Sequence, residues 1–170
     1  IKKHLDTEAR FGMATRPLSQ IYNTLKRMVA DGLVEFEIQP REGAGPDLKV
    51  YSLTSDGHDE FLAYLAGPIE LKFRYFESDV PWRIAYSYLI PPEIILSQLR
   101  TELQHRKDHI KNFRNRDRSI QSALLTEEQI VEANEIYEKL HIYGTKGIDM
   151  YVGMLEEWIG YFEEKINMKN

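Results

Sequence analysis

The 170-residue sequence predicts a mainly α protein with one small β-hairpin, because three patterns follow one another along it. Apolar residues recur at helical spacing over 19–31, two alternating strands then flank a turn-rich octapeptide, and from residue 93 onward apolar residues repeat every seven positions.

Each element has a local cause. Ile1 and Leu5 lie one turn apart and read as the end of a helix, so the first helix of the module is expected upstream of Ile1. Ser19 follows a proline and offers a side-chain oxygen as a helix cap. Ile21, Leu25, Met28 and Val29 then fall on one face of a helix that Gly32 stops, and Ser19, Gln20, Asn23, Lys26, Arg27 and Ala30 fall on the other. Val34, Phe36 and Ile38 alternate with Glu35, Glu37 and Gln39, which predicts a half-buried strand. "PREGAGPD" turns the chain and "LKVYSL" returns, Thr54 caps a further helix, and Gly67-Pro68 ends it. Helix, turn, helix, hairpin, helix is the order of a winged helix-turn-helix.

Beyond Gly67 the character changes to aromatic segments expected to be helical, "LKFRYF" and "PWRIAYSYL". A long helix is expected over 93 to about 118, with Leu96, Leu103 and Ile110 on one line of a seam, Leu99 and Phe113 on the next, and Arg106 interrupting it. Thr126 and Gln129 have capping-box spacing and open a final run in which Ile130, Tyr137, Gly144, Tyr151 and Trp158 share a line, with Ile148, Leu155 and Phe162 beside it. One long helix or two aligned pieces both fit that phase. Two such helices cannot enclose this many apolar side chains, so antiparallel packing plus a two-fold homodimer is expected. The organisation read from the sequence is 1–67 for the winged-helix domain, 68–91 for an aromatic connector and 92–170 for a helical dimerisation domain.

Composition narrows the function. No apolar run approaches the roughly 18 residues of a membrane span, there is no cysteine, and mean hydropathy is −0.47, so a cytoplasmic protein with no membrane partner is expected. The net charge of −5 argues against a protein that coats nucleic acid along its whole surface. Distribution matters more: residues 100–125 carry 7 Lys/Arg against 3 Asp/Glu, while 126–170 carry 4 against 10. The basic run 106–118 reads as the outer face of a helix answered by the acidic run 126–170, because opposed charges set register between packed helices, with a second nucleic-acid surface as the alternative.

Enzymatic chemistry has little support. Glu102, His105 and His109 have spacings found in helical metal sites but fall opposite the apolar seam; His4, His58 and His141 are scattered, and no phosphate-cradling glycine motif or nucleophile elbow occurs. No catalytic residue, metal or cofactor is therefore expected. Phe73, Phe76, Trp82, Tyr86, Tyr151 and Trp158 are candidates to line a pocket for a small aromatic effector, with a purely structural core as the alternative.

The stretches "QIYNTLKRMVADGLVEF" and "KVYSLTSDG", with Ile21-Tyr22, Leu25-Lys26-Arg27, Gly32-Leu33-Val34, Lys49, Tyr51, Leu53-Thr54 and Gly57, resemble the PadR family of bacterial transcription regulators. "LEEWI" at 155–159 resembles the C-terminal dimerisation helices of its longer members. The resemblance implies a homodimeric repressor on a palindromic operator in double-stranded DNA, released by a small molecule. It places Tyr22 and the exposed residues of helix 19–31 on DNA and Lys49 in the wing. The residue chemistry adds Gln20 and Asn23 for bases, Lys26 and Arg27 for guanine or phosphate, and Arg41 at the wing tip. The alternative reading is a helical protein-protein adaptor that keeps a winged helix as scaffold.

Overall fold

The computed structural model describes residues 17–40 and 47–168, and contacts divide the chain into two compact units, the first ending at Gly67 and the second starting at Pro68. The expected helix end at Ile1 to Leu5 and the wing-tip Arg41 lie outside the described residues.

In the first unit α1 spans Leu18–Ala30. Ser19 is not its cap: Pro17 holds that position, no side chain caps the end, and Ser19 sits exposed inside the first turn. Proline needs no N–H and pre-sets φ, so the helix begins two residues earlier than a Ser19 cap predicts. Ile21, Leu25, Met28 and Val29 are the partly buried face, as expected. At the C-terminus Gly32 adopts φ 73°, Gly32 N–H donates to the Val29 carbonyl and Leu33 N–H to the Met28 carbonyl. This paired closure needs a residue free to turn left-handed.

Strands β1 (Val34–Gln39) and β2 (Leu48–Leu53) pair antiparallel, with Val34 opposite Leu53 and Phe36 opposite Tyr51. The expected half-buried strand is corrected here, since among its residues only Val34 is buried. Helix α2 (Ser55–Ala66) is capped by Thr54, as the sequence predicts.

The second unit contains α3 (Val80–Ala85), α4 (Pro92–Phe113) and α5 (Glu127–Asn167). "LKFRYF" is not an α-helix; it runs irregularly into a 3-10 turn at Tyr75–Glu77. Its carbonyls explain why: Arg106 takes those of Lys72 at 2.7 Å and Phe73 at 2.9 Å, leaving them unavailable for a helical ladder. "PWRIAYSYL" is helical over α3 and in a 3-10 turn at Ser87–Leu89.

Helix α4 stops at Phe113 rather than near 118, where the Arg118 guanidinium folds back onto the Arg114 and Phe113 carbonyls. Terminal carbonyls satisfied by a side chain need no further turn. Its buried face also differs from the expected heptad seam. Ile95, Leu96 and Leu99 are buried together with Gln98, Glu102 and Arg106, whereas Leu103 and Ile110 are half-buried and Phe113 is exposed. Glu102 and Arg106 are thus inside: Arg106 lies in the seam where its spacing from Leu99 puts it, while the placement of Glu102 opposite the seam, and of the basic run from residue 106 on an outer face, is corrected.

Helix α5 is one continuous helix of 41 residues, opened by the predicted capping box of Thr126 and Gln129. It runs antiparallel to α4, and a ladder of ion pairs records the register: Arg100 with Glu163, Lys107 with Glu156 and Arg114 with Asp149. Steps of seven down one helix meet steps of seven up the other. The core of this unit is Val80, Ile84, Ile95, Leu96, Leu99, Tyr151, Leu155 and Phe162.

Candidate nucleic-acid interface

Helix α1 presents Ser19, Gln20, Asn23, Lys26, Arg27 and Ala30 within about 60° of a common direction at 100° per residue, and all six are exposed. Among the described residues none of these side chains makes a hydrogen bond or ion pair, so amides and cations stand ready on one face. Tyr22 is 60% exposed on the flank of that stripe. Thr24 is exposed on the other flank, where it lines a concavity of about 980 Å³ together with Gln20, Asn23 and Lys26. Sequence reasoning passed over Thr24; its position one residue after Asn23 was the available signal. Arg27, in the last turn, also complements the partial negative charge of the helix end.

The wing behaves differently from a simple basic finger. Lys49 lies opposite Ile38 in the hairpin, and its ammonium sits 4.2 Å from the centroid of the Phe36 ring. The cation is therefore steadied by the ring face while remaining exposed. On the other face of β1 the carboxylates of Glu35 and Glu37 are exposed.

One hydroxyl joins these parts. Thr54 Oγ1 donates to the Gly32 carbonyl at 2.6 Å and accepts from Gly57 N–H at 3.0 Å, while Thr54 N–H donates to the Leu33 carbonyl at 3.2 Å. Gly57 lies so close to this joint that a methyl group there would overlap the Leu33 carbonyl. The end of α1, the start of β1 and the start of α2 are thereby fixed together, which orients the exposed face of α1 relative to the hairpin. The cap by Thr54 was legible in the sequence, but its tie to Gly32 and the close approach of Gly57 to Leu33 required the fold.

The aromatic candidates of the second unit separate into distinct surroundings. Phe73 and Phe76 line a groove of about 290 Å³. Tyr151 is buried, its hydroxyl donating to Glu102 Oε1 at 3.2 Å, and burial in a site facing that carboxylate holds its proton well above the ordinary range. Trp158 meets Tyr161 edge to face and lies tilted against Phe162 farther along α5. Trp82 is part-buried on α3, and Tyr86, just past its end, pairs with Tyr88. His109, Phe113, Arg116 and His141, none of them a pocket candidate from the sequence, share the groove with Phe73 and Phe76. They come from separate segments, and no spacing in the sequence links them.

Among the described residues no group of three or more His, Asp or Glu side chains converges to hold a metal ion, and no helix is long and apolar enough to cross a membrane.

No curated protein matches the chain. Among solved structures, it is similar to smu.1604c of Streptococcus mutans UA159, at 18% identity over 98% of this chain and 87% of that one, with a TM-score of 0.37. It is similar to the PadR-like transcriptional regulator BC1756 of Bacillus cereus at 19% identity over 95% and 84%, with a TM-score of 0.37. A third is Bacillus subtilis PadR in complex with operator DNA, at 15% identity over 99% and 88%, with a TM-score of 0.39. Residues 1–63, which include α1, the hairpin and most of α2, match the model of the Transcriptional regulator PadR-like family.

Proposed function

We propose that the chain is a DNA-binding transcriptional regulator that acts as a homodimeric repressor on a palindromic operator and is released by a small aromatic effector. The observation that carries DNA reading is the unengaged stripe of α1. Gln20 and Asn23 match the donor and acceptor edge of adenine, Lys26 and Arg27 match guanine or phosphate, and Tyr22 and Ser19 flank them toward the backbone. Lys49 and Arg41 belong to the wing that follows the backbone.

Dimerisation is supported by the length mismatch of the two long helices. Helix α5 is about 62 Å long and α4 about 33 Å, and Arg114, just past the end of α4, already pairs with Asp149. The first half of α5 has no α4 beside it, and there Val131, Leu140 and Tyr143 are 68%, 61% and 71% exposed. A second copy covers such a surface, and its two-fold symmetry would bring two α1 helices to successive major grooves, about 34 Å apart. An effector releases DNA by favouring a spacing that fits the operator poorly, because it binds one state better than the other.

The test is a binding titration against DNA from upstream of the chain's own gene, repeated across a salt series, with sedimentation to fix the stoichiometry. A dimer should lose affinity steeply with salt, and the Lys26→Ala, Arg27→Ala variant, lacking four cations per dimer, should flatten the logarithmic slope by about 3 to 4. An adaptor would bind no DNA fragment in this salt-dependent way, and that result would overturn the proposal.

A further inference from the structure

Alternation along β1 turns Val34, Phe36 and Ile38 to one side of the hairpin and Glu35, Glu37 and Gln39 to the other. Val34 is buried, but the same side emerges farther along the strand, where Phe36 is 37% and Ile38 62% exposed. The register sets Phe36 opposite Tyr51 and Ile38 opposite Lys49, so Phe36 and Lys49 are diagonal neighbours on one face. At that separation a long side chain reaches a ring, and the Lys49 ammonium lies 4.2 Å from the Phe36 centroid. Tyr51 braces the ring from across the ladder, 5.6 Å between centroids and tilted by 48°.

Lys49 carries no counter-charge. Among the described residues it has no carboxylate partner, although the strand opposite holds Glu35 and Glu37. Both carboxylates belong to the other face, where they stand across from Ser52 and Val50. The hairpin is thus divided into a cationic face and an anionic one, and only the first is suited to approach a phosphate chain. An unpaired cation on a four-carbon stem ordinarily sweeps a wide volume, and that freedom is lost when it docks. A ring face removes much of the sweep beforehand, while it occupies one side of the ammonium and leaves donors free on the other.

We propose that Phe36 is a positioning residue for DNA binding: its ring holds the Lys49 ammonium in place on the wing, ordered before a phosphate arrives. The inference rests on the reading of the hairpin as a wing that follows the DNA backbone. Its signature is an uncharged residue that acts on affinity only through Lys49.

The test is a double-variant cycle on the full chain, read as binding to the duplex from upstream of its own gene across a salt series, with NMR of the free protein beside it. In the free parent the ring current of Phe36 should shift the Lys49 ε-methylene protons upfield, and Phe36→Leu should return them to their ordinary position. Lys49→Gln removes two cations per dimer and should flatten the logarithmic salt slope by about 2. Phe36→Leu keeps both cations, so the slope should stay while affinity falls about fivefold, because the lysine stems are then left to be ordered on binding. In the Lys49→Gln background the same Phe36→Leu change should cost nothing further, and Phe36→Trp, which restores a ring face, should match or exceed the parent. Unshifted Lys49 protons, or a loss from Phe36→Leu that persists without Lys49, would overturn the inference, the second by giving Phe36 a purely structural part in the hairpin. A lowered slope in Lys49→Gln with no effect of Phe36→Leu removes the inference and leaves the wing reading standing. Salt-dependent binding whose slope and affinity Lys49→Gln leaves unchanged removes the wing from the interface and the inference with it, while the reading of α1 stands.

Discussion

The hydroxyl of Thr54 donates to the carbonyl of Gly32 at 2.6 Å across 22 residues of sequence, and the same oxygen accepts the N–H of Gly57. A helix cap and a tertiary tie are thus one atom. Thr54→Val keeps the shape and removes both bonds, so the first unit should lose about 1–2 kcal/mol, as a lost cap does.

Gly57→Ala tests the closeness of the same joint. In an open helix alanine would stabilise by about 1 kcal/mol over glycine. Here the methyl meets the Leu33 backbone, which is no flexible side chain and must move, so a net loss of about 1–3 kcal/mol is expected. Urea unfolding of both variants, followed by a signal from the first unit, measures the two effects; a stabilised Gly57→Ala would show that the joint is looser than the structure has it.

Arg106 and Glu102 form a fully buried ion pair, at 2.8 and 2.9 Å, that also binds the carbonyls of Lys72 and Phe73. Removing one partner strands a buried charge. Arg106→Met should cost about 3–5 kcal/mol, and the double variant Arg106→Met, Glu102→Leu should regain a good part of it because neither charge is then left alone. Thermal unfolding of the two variants and the parent gives the comparison. A double variant no more stable than Arg106→Met would assign the loss to the freed carbonyls instead.

The α4 and α5 ladder makes a smaller prediction. Lys107 and Glu156 are each about half exposed and 2.7 Å apart, so the pair is worth only about 0.2–1 kcal/mol. Lys107→Glu should destabilise by no more than about that amount plus the new repulsion, and adding Glu156→Lys should restore the parent midpoint within a few tenths. Persistent loss in the swapped pair would mean that the side chains pack rather than attract.

His109 sets an acid dependence. Its folded pKa is lowered, by burial first and then by its cationic neighbours, while the unfolded chain titrates near 6.5. Below 6.5 the unfolded chain therefore binds more protons, so stability falls as pH drops through that value and levels once the folded imidazole is itself charged. Urea midpoints at about pH 7.5 and about pH 5.5 should differ less in His109→Gln than in the parent, and an unchanged difference would assign the acid loss to other groups.

Local chemistry carried most of the element map. Gly32 ended α1, Thr54 opened α2 and the Thr126 and Gln129 box opened α5, because each rests on bonds between residues at most five apart, which a linear reading can see. The exposed stripe of α1 was legible for the same reason, since one helix and its period fix it. Where the reading failed, a distant partner had intervened. "LKFRYF" lost its helix to Arg106, more than thirty residues away, and a seam drawn from apolar residues alone could not foresee that a paired Glu102 and Arg106 would be buried in it. The groove of Phe73, His109, Arg116 and His141 is likewise a product of packing. Periodicity belongs to the sequence because the backbone repeats locally, whereas the neutralisation of a buried charge and the convergence of three remote segments exist only once the chain has closed on itself.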